Sequence, residues 1–316
     1  MTAGPRLGGV FAPVITPFLP DYAPDAPRLI RHCRWLLAHG CDGLAPFGTT
    51  SEANSLATAE RRSLLDSLVR AGVPAASLVP GTGCCSLTES VELAAHAVGH
   101  GCAGVLALPP FYYKDVSDEG LYRHFSEVIQ RVGDARLRLY LYHIPPVAQV
   151  PITRGVIERL LARYPGTVAG LKDSSGDWAH TLGLIEAFGP DGFDVFAGSE
   201  VFLLRTLVAG GAGCITAGAN LNPHGIAAVH RAWREGRGAE PAQEAADRVR
   251  RALQSAPDLI PAIKAVVAHW TGDPTWRTVR PPLVEADPAV EAAVLAALDE
   301  AGFAFPVDPA RPRSSS

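Results

Sequence analysis

The chain has 316 residues, 47% of them hydrophobic, a formal net charge of −4 and a pI near 6.2. That length accommodates one large α/β barrel or two ordinary domains, and the composition is that of a globular protein. The mild negative charge excludes an overall basic field for nucleic acid, and no window approaches the roughly 18 uninterrupted apolar residues that would span a membrane.

The opening stretch MTAGPRLGGVFAPVITPF has neither a basic start nor an unbroken apolar core, so a cytoplasmic location is expected. Six cysteines form no CxxC pair and are expected to be reduced, mostly as small core residues. Short apolar runs then recur at 9–16, 43–47, 78–82, 103–108, 137–143, 168–172, 193–198 and 213–216. Between them, helical periodicity covers 26–39, 59–71, 88–100, 119–132, 154–163, 178–188 and 200–209. Strand and helix alternate strictly, which predicts a parallel sheet. Runs that do not alternate polar with apolar are buried on both faces and predict a closed (β/α)8 TIM barrel over residues 1–223. Past Pro223 the pattern is all helical, at 226–235, 242–255, 259–270 and 288–301, so a C-terminal helical region is expected over 224–305. The remaining 306–316, ending in ARPRSSS, reads as a disordered tail.

Catalysis in such a barrel belongs at the C-terminal ends of the strands. Lys172 closes the sixth run, Val168-Ala169-Gly170-Leu171, and is followed by Asp173-Ser174-Ser175-Gly176. Only three of the 28 basic residues are lysines, and a lysine, unlike an arginine, can lose its proton and attack a carbonyl. The alternative for a strand-end lysine is an ammonium that snorkels to water. Gly48-Thr49-Thr50-Ser51-Glu52 follows the second run, where its N–H groups and hydroxyls suit a small carboxylate; a plain helix cap is the other reading. Tyr142 ends the fifth run with Tyr140 on its face and His143 on the opposite one. A hydroxyl there, hydrogen-bonded to Thr49, is suited to relaying protons, or else is an interior aromatic with its hydroxyl satisfied.

Tyr112-Tyr113 beside Lys114 forms an aromatic turn after the fourth run, read as packing, with a lid or a reach into a neighbouring subunit as alternatives. His96 and His100 are four apart on a helix, but no glutamate lies between them and no third ligand is near in sequence, so no metal is expected. Gly210-Gly211-Ala212-Gly213 matches neither a dinucleotide fingerprint nor a P-loop.

Taken together, GTTSE, PPFYYK, LYHIP and GLKDSSG, with GVFAPVITPF, PAIKAV and VRPPL, resemble the dihydrodipicolinate synthase and N-acetylneuraminate lyase family of class I pyruvate aldolases over essentially the whole chain. The resemblance implies that Lys172 forms a Schiff base with pyruvate and Tyr142 relays protons. It places Thr49 and Thr50 at the pyruvate carboxylate and Tyr113 across a subunit interface. By the same resemblance the Ile215 backbone lines the pyruvyl group, and Gly198 and Glu200 fall where some members bind the second substrate's polar groups. It also implies a homotetramer of tight dimers and no cofactor beyond the covalent imine. The resemblance also puts His143 and Val147 among the substrate-binding residues at the mouth; His143 stands where asparagine is usual, Ser51 where glycine is usual and Ala217 where some sialic-acid lyases have serine. Val147 stands where dihydrodipicolinate synthases carry an arginine for the second substrate's carboxylate. The expected activity is therefore making or cleaving a C–C bond between pyruvate and an aldehyde, with a 2-oxo-3-deoxy sugar acid or another 4-hydroxy-2-oxo acid as the product or substrate. Dihydrodipicolinate synthase, a dehydratase using the same imine and a non-catalytic pyruvate-binding protein are the alternatives.

Overall fold

A computed structural model describes residues 6–306, so all but the first residue of the expected tail lies outside the described residues. Seven parallel strands form one sheet: β1 (Gly9–Ala12), β2 (Gly43–Leu44), β3 (Val105–Ala107), β4 (Leu139–His143), β5 (Val168–Asp173), β6 (Asp194–Ala197) and β7 (Gly213–Ile215). Their order is β2-β1-β7-β6-β5-β4-β3, with every pairing parallel. The helices are α1 (Ala26–Ala38), α2 (Thr58–Arg70), α3 (Leu87–Gly99), α4 (Asp118–Val132), α5 (Pro145–Ala148), α6 (Arg154–Arg163), α7 (Trp178–Phe188), α8 (Leu203–Val208), α9 (Pro223–Arg234), α10 (Glu240–Gln254), α11 (Leu259–Thr271) and α12 (Pro288–Glu300). Ser86, Ser117, Thr153 and Asp177 each cap a helix by accepting a backbone N–H, which is why helices start where polar residues end the preceding loops.

The third expected strand, the run 78–82, is present as a ladder broken by Pro80, which has no N–H to donate. Val79 N–H donates to Leu44 O at 2.8 Å and Gly81 N–H to Pro46 O at 2.8 Å. On the other side Ala103 N–H reaches Leu78 O and Leu106 N–H reaches Pro80 O, each at 2.9 Å. The segment therefore bridges β2 to β3 and closes the barrel without being a regular strand. The barrel interior is filled by Phe11, Ala45, Val79, Leu106, Tyr140, Ala169, Phe196 and Ile215, one from each of the eight staves.

Strand residues facing the other way, such as Val10, Leu44, Val105, Leu139, Val195 and Cys214, pack under the helical ring. Ile226 and Val229 of α9 belong to this same core, so the helix expected to open the C-terminal region sits in the barrel's own ring. A second core joins Val249, Leu253, Ile263, Val266 and Leu298 of α10–α12 to Ile15, Ala217 and Leu221. Those last three follow the C-terminal ends of β1 and β7, which places the C-terminal helices beside the barrel mouth. Asn220, fully buried, fastens this junction. Its amide donates to Pro13 O at 3.0 Å and Ala217 O at 3.1 Å, and its carbonyl accepts from Ile15 N–H at 3.0 Å and His32 Nε2 at 3.2 Å. No helix among the described residues is long and apolar enough to cross a membrane.

Burial lowers the pKa of His32, His124 and His143 from the ordinary 6.5 to about 4, against an opposing pull from Asn220 on His32. The unfolded chain thus binds more protons than the folded one between those values. Stability is full above the unfolded pKa and declines as pH falls toward the folded one. Urea midpoints measured at about pH 7 and about pH 4.5 should differ, the acidic one being lower, and a flat profile would contradict neutral burial of these rings.

Candidate active site

The pairing of β4 with β5 contains a one-residue slip. Leu139 pairs with Val168, but Tyr140 pairs with Gly170, leaving Ala169 extra in β5. Side chains alternate along a strand, so an inserted residue reverses every position beyond it. Val168 faces the helices, whereas Lys172 comes into register with Tyr142 on the interior side. Lys172 is 4% exposed, and its Nζ lies 4.2 Å from the centre of the Tyr142 ring. Glycines clear the space around the strand. A Cβ on Gly170 would meet Asp194 O at 2.2 Å, and one on Gly198 would meet the Ser174 hydroxyl at 2.1 Å.

Tyr142 donates to Thr49 Oγ1 at 3.4 Å, which ties β4 to the turn after β2. Burial pushes the phenol pKa up, but the positive charge of Lys172 and hydrogen bonds with Thr49, Lys172 and Ser174 together outweigh it. The net pKa is below the usual tyrosine value. The turn itself is tight. Ser51, Glu52 and Ala53 N–H groups donate back to Gly48 and Thr49 carbonyls, and Ser51 Oγ accepts from Gly48 N–H. These bonds use none of the N–H groups of Thr49 and Thr50, whose side chains are half-buried at the mouth. Phe47 (φ 63°) and Glu52 (φ 56°) bracket the turn in the left-handed region, a strained pair that the surrounding contacts must hold. A cleft here is lined by Gly48, Thr49, Asn54, Leu108 and Tyr142.

The turn is held from behind by residues outside the sequence-derived set. Glu52 is fully buried and pairs with the equally buried Lys264 of α11. Its second oxygen accepts from Arg280 N–H at 2.9 Å, while Lys264 also donates to Thr278 O at 2.8 Å. Thr16 Oγ1 donates to Ser51 O at 2.7 Å. The signal for this was a lysine inside the apolar run PAIKAV, in a chain with only three lysines.

The other expected site residues scatter. Ile215 lines the interior and Gly198 abuts Ser174, two residues past Lys172. Tyr113 and Val147 stand at the rim, 73% and 60% exposed. His143, placed among the substrate-binding residues by resemblance, instead faces out of the barrel, as strand alternation requires. Its Nδ1 accepts Ile152 N–H at 3.1 Å and its ring stacks on His180. His180 in turn contacts Asp173 at 2.9 Å, and Thr181 donates to the same carboxylate at 2.7 Å. Glu200 is likewise turned away from the mouth: its carboxylate accepts from Thr216 and lies 3.5 Å from Arg250 of α10. Lys114, beside the tyrosine pair, reaches Ala148 O at 3.0 Å. Asp66 of α2 lies against both His96 and His100, a partner that sequence spacing alone did not reveal.

The closed parallel barrel, with a buried lysine, a buried phenol and a hydroxyl-rich turn at its C-terminal mouth, is that of a lyase of the class I pyruvate-aldolase type. The family model for the dihydrodipicolinate synthetase family matches residues 6–301, and the chain belongs to that family. It is 36% identical over 298 residues to an uncharacterized DapA-like lyase of Chloroflexus aurantiacus, covering 94% of this chain and 97% of that one. It is 31% identical over 234 residues to a probable 2-dehydro-3-deoxy-D-pentonate aldolase of Escherichia coli, covering 73% and 76% of the two chains. The crystal structure of dihydrodipicolinate synthase from Agrobacterium tumefaciens superposes with a TM-score of 0.84 at 34% identity, over 92% of this chain and 98% of that one.

Removing one partner of a buried ion pair strands the other charge, so Lys264→Met should cost about 3–5 kcal/mol of stability. Adding Glu52→Gln should recover part of that loss, because it removes the orphaned carboxylate. Chemical denaturation of the two variants checks this; independent, additive losses would show that the pair does not act as a unit.

Proposed function

We propose that the protein is a Schiff-base class I aldolase that joins pyruvate to an aldehyde, or cleaves the product. The observation that carries this reading is the placement of Lys172 Nζ against the face of Tyr142, whose hydroxyl is bonded to Thr49. The unprotonated Lys172 amine adds to the C2 carbonyl of pyruvate and, with loss of water, leaves a protonated imine. That imine accepts the electron pair released when a C3 proton departs, giving an enamine. The enamine carbon then attacks the aldehyde carbon, and hydrolysis frees the lysine. In the cleavage direction Tyr142 takes the C4 hydroxyl proton, passing it along the contact with Thr49. The N–H groups and hydroxyls of Thr49 and Thr50 hold the pyruvate carboxylate.

The second substrate follows from the rim. Val147 is exposed and uncharged, and it offers nothing to a carboxylate on the incoming aldehyde. That supports a neutral, hydroxylated aldehyde and hence a 2-oxo-3-deoxy sugar acid or related 4-hydroxy-2-oxo acid, in line with the name of the Escherichia coli relative. Condensation of pyruvate with aspartate semialdehyde is the second reading, favoured by the similarity to the Agrobacterium enzyme. A cytoplasmic homotetramer, built as a dimer of dimers with Tyr113 at the tight interface, completes the proposal; the 73% exposure of Tyr113 in the single chain is what such a contact would cover. No cofactor beyond the imine is invoked.

Borohydride reduction in the presence of pyruvate, followed by peptide mass mapping, should place a single adduct on Lys172 and none in Lys172→Arg. An adduct on Lys114 or Lys264, or none, would refute the imine. Tyr142→Phe should keep the adduct yet lower kcat by about 10²–10⁴-fold, the usual range for a lost acid–base group. Comparing kcat/KM for 2-oxo-3-deoxy sugar acids with that for aspartate semialdehyde condensation decides between the two readings.

A further inference from the structure

Among the described residues two places gather three metal-ligating side chains that take part in no step above: His143, Asp173 and His180 behind β5, where the carboxylate is also held by Thr181 and the Ser175 N–H, and a seam between α2 and α3. His96, in the last turn of α3, and His100, which caps that helix, are four residues apart, and Asp66 of α2 meets them across the helix seam. Asp66 Oδ1 lies 2.8 Å from His96 Nε2 and 2.7 Å from His100 Nε2, and all three donor atoms fall within 4.8 Å of one another. The two imidazoles stand edge to face, 4.7 Å between centres. His96 Nε2 is shielded from solvent and has no well-directed hydrogen bond despite that short approach. Both imidazole nitrogens approach the same Asp66 carboxylate oxygen, and only the His100 contact is a directed hydrogen bond.

We propose that Asp66, His96 and His100 form a binding site for a divalent transition metal of the zinc type. Nitrogen and carboxylate oxygen at about 2.0–2.2 Å are the usual zinc ligands, and tetrahedral neighbours at that radius lie about 3.3 Å apart. The two Asp66–histidine separations would open by about half an ångström to reach that spacing, and the two imidazole nitrogens lie within 4.8 Å of each other. Side-chain exposures of 18–34% leave a fourth position open to water. The site is at the C-terminal end of α3, where the helix dipole favours a cation, and His100 is the residue that caps that end. The neighbouring Arg62 of α2 is already paired with Glu92 of α3 at 2.6 Å. Because a barrel helix ends at the side opposite the mouth, a bound ion would clamp α2 to α3 and stabilise the ring without entering the chemistry.

Tag-free, chelator-treated protein titrated calorimetrically with Zn²⁺ should bind one ion per chain. His96→Gln, His100→Gln and Asp66→Asn should each weaken that binding by at least about tenfold. Zn²⁺ should raise the Tm of the parent protein and leave that of the variants unmoved. Binding of equal affinity in all three variants, or no saturable binding, would overturn the proposal. The three substitutions lie on a partly exposed seam, so a folded variant is available to each comparison even if one of them fails.

Discussion

One inserted residue in β5 decides which face of the sheet Lys172 occupies. A parallel barrel packs both faces of every strand, so polarity cannot set the register as it does in a sheet with one wet face. Hydrogen-bond pairing has to do it. With Ala169 absorbed as a bulge, Val168 packs under the helices and Lys172 turns inward beside Tyr142. Asp173, the next residue, consequently points outward and is held by Thr181, His180 and the N–H of Ser175. The lysine is thus fixed by a carboxylate on the far side of the wall, and a polar network that includes His143 supports the site from outside it.

The turn at Gly48–Glu52 is fixed by the same kind of backing. The turn's own backbone bonds leave out the Thr49 and Thr50 N–H groups, while its inner end terminates in the buried Glu52–Lys264 pair. An ion pair taken wholly out of water is a poor source of net stability, but it tolerates only one arrangement of its partners. It therefore suits a turn that holds Phe47 and Glu52 in a strained backbone region. It also explains why the C-terminal helices, which contribute no side chain to the mouth in the sequence-derived set, lie beside it. Lys264 of α11 and Arg280, in the segment joining α11 to α12, grip the one loop whose shape the proposed carboxylate site needs.

Asn220 performs a similar service at the join between the first and last strands, satisfying four polar partners in a fully buried position. Buried groups of this kind either have every partner in place or destabilise the fold, which leaves little freedom for the ends of β1 and β7 to drift apart. Glu200 follows the same logic. Its bonds to Thr216 and Arg250 make it a strut between the last strand and α10, which is why a residue placed near the substrate by resemblance ends up facing away from it.

The sequence by itself determined the alternation of strands and helices, the barrel class and the clustering of Lys172, Tyr142 and Thr49 at strand ends. These follow from local periodicity and from the polar residues that interrupt it. It could not determine that Pro80 would reduce one stave to a broken ladder, since that depends on which carbonyls the neighbouring strands present. Nor could it assign His143 and Glu200 their outward partners, or bring Glu52 to Lys264 and Asp66 to His96 and His100. Those contacts join residues from different loops and helices, and they exist only once the barrel has closed and carried distant segments together. What tertiary structure decided was the facing of each polar side chain, because burial forces every such group onto whichever partner the closed fold happens to supply.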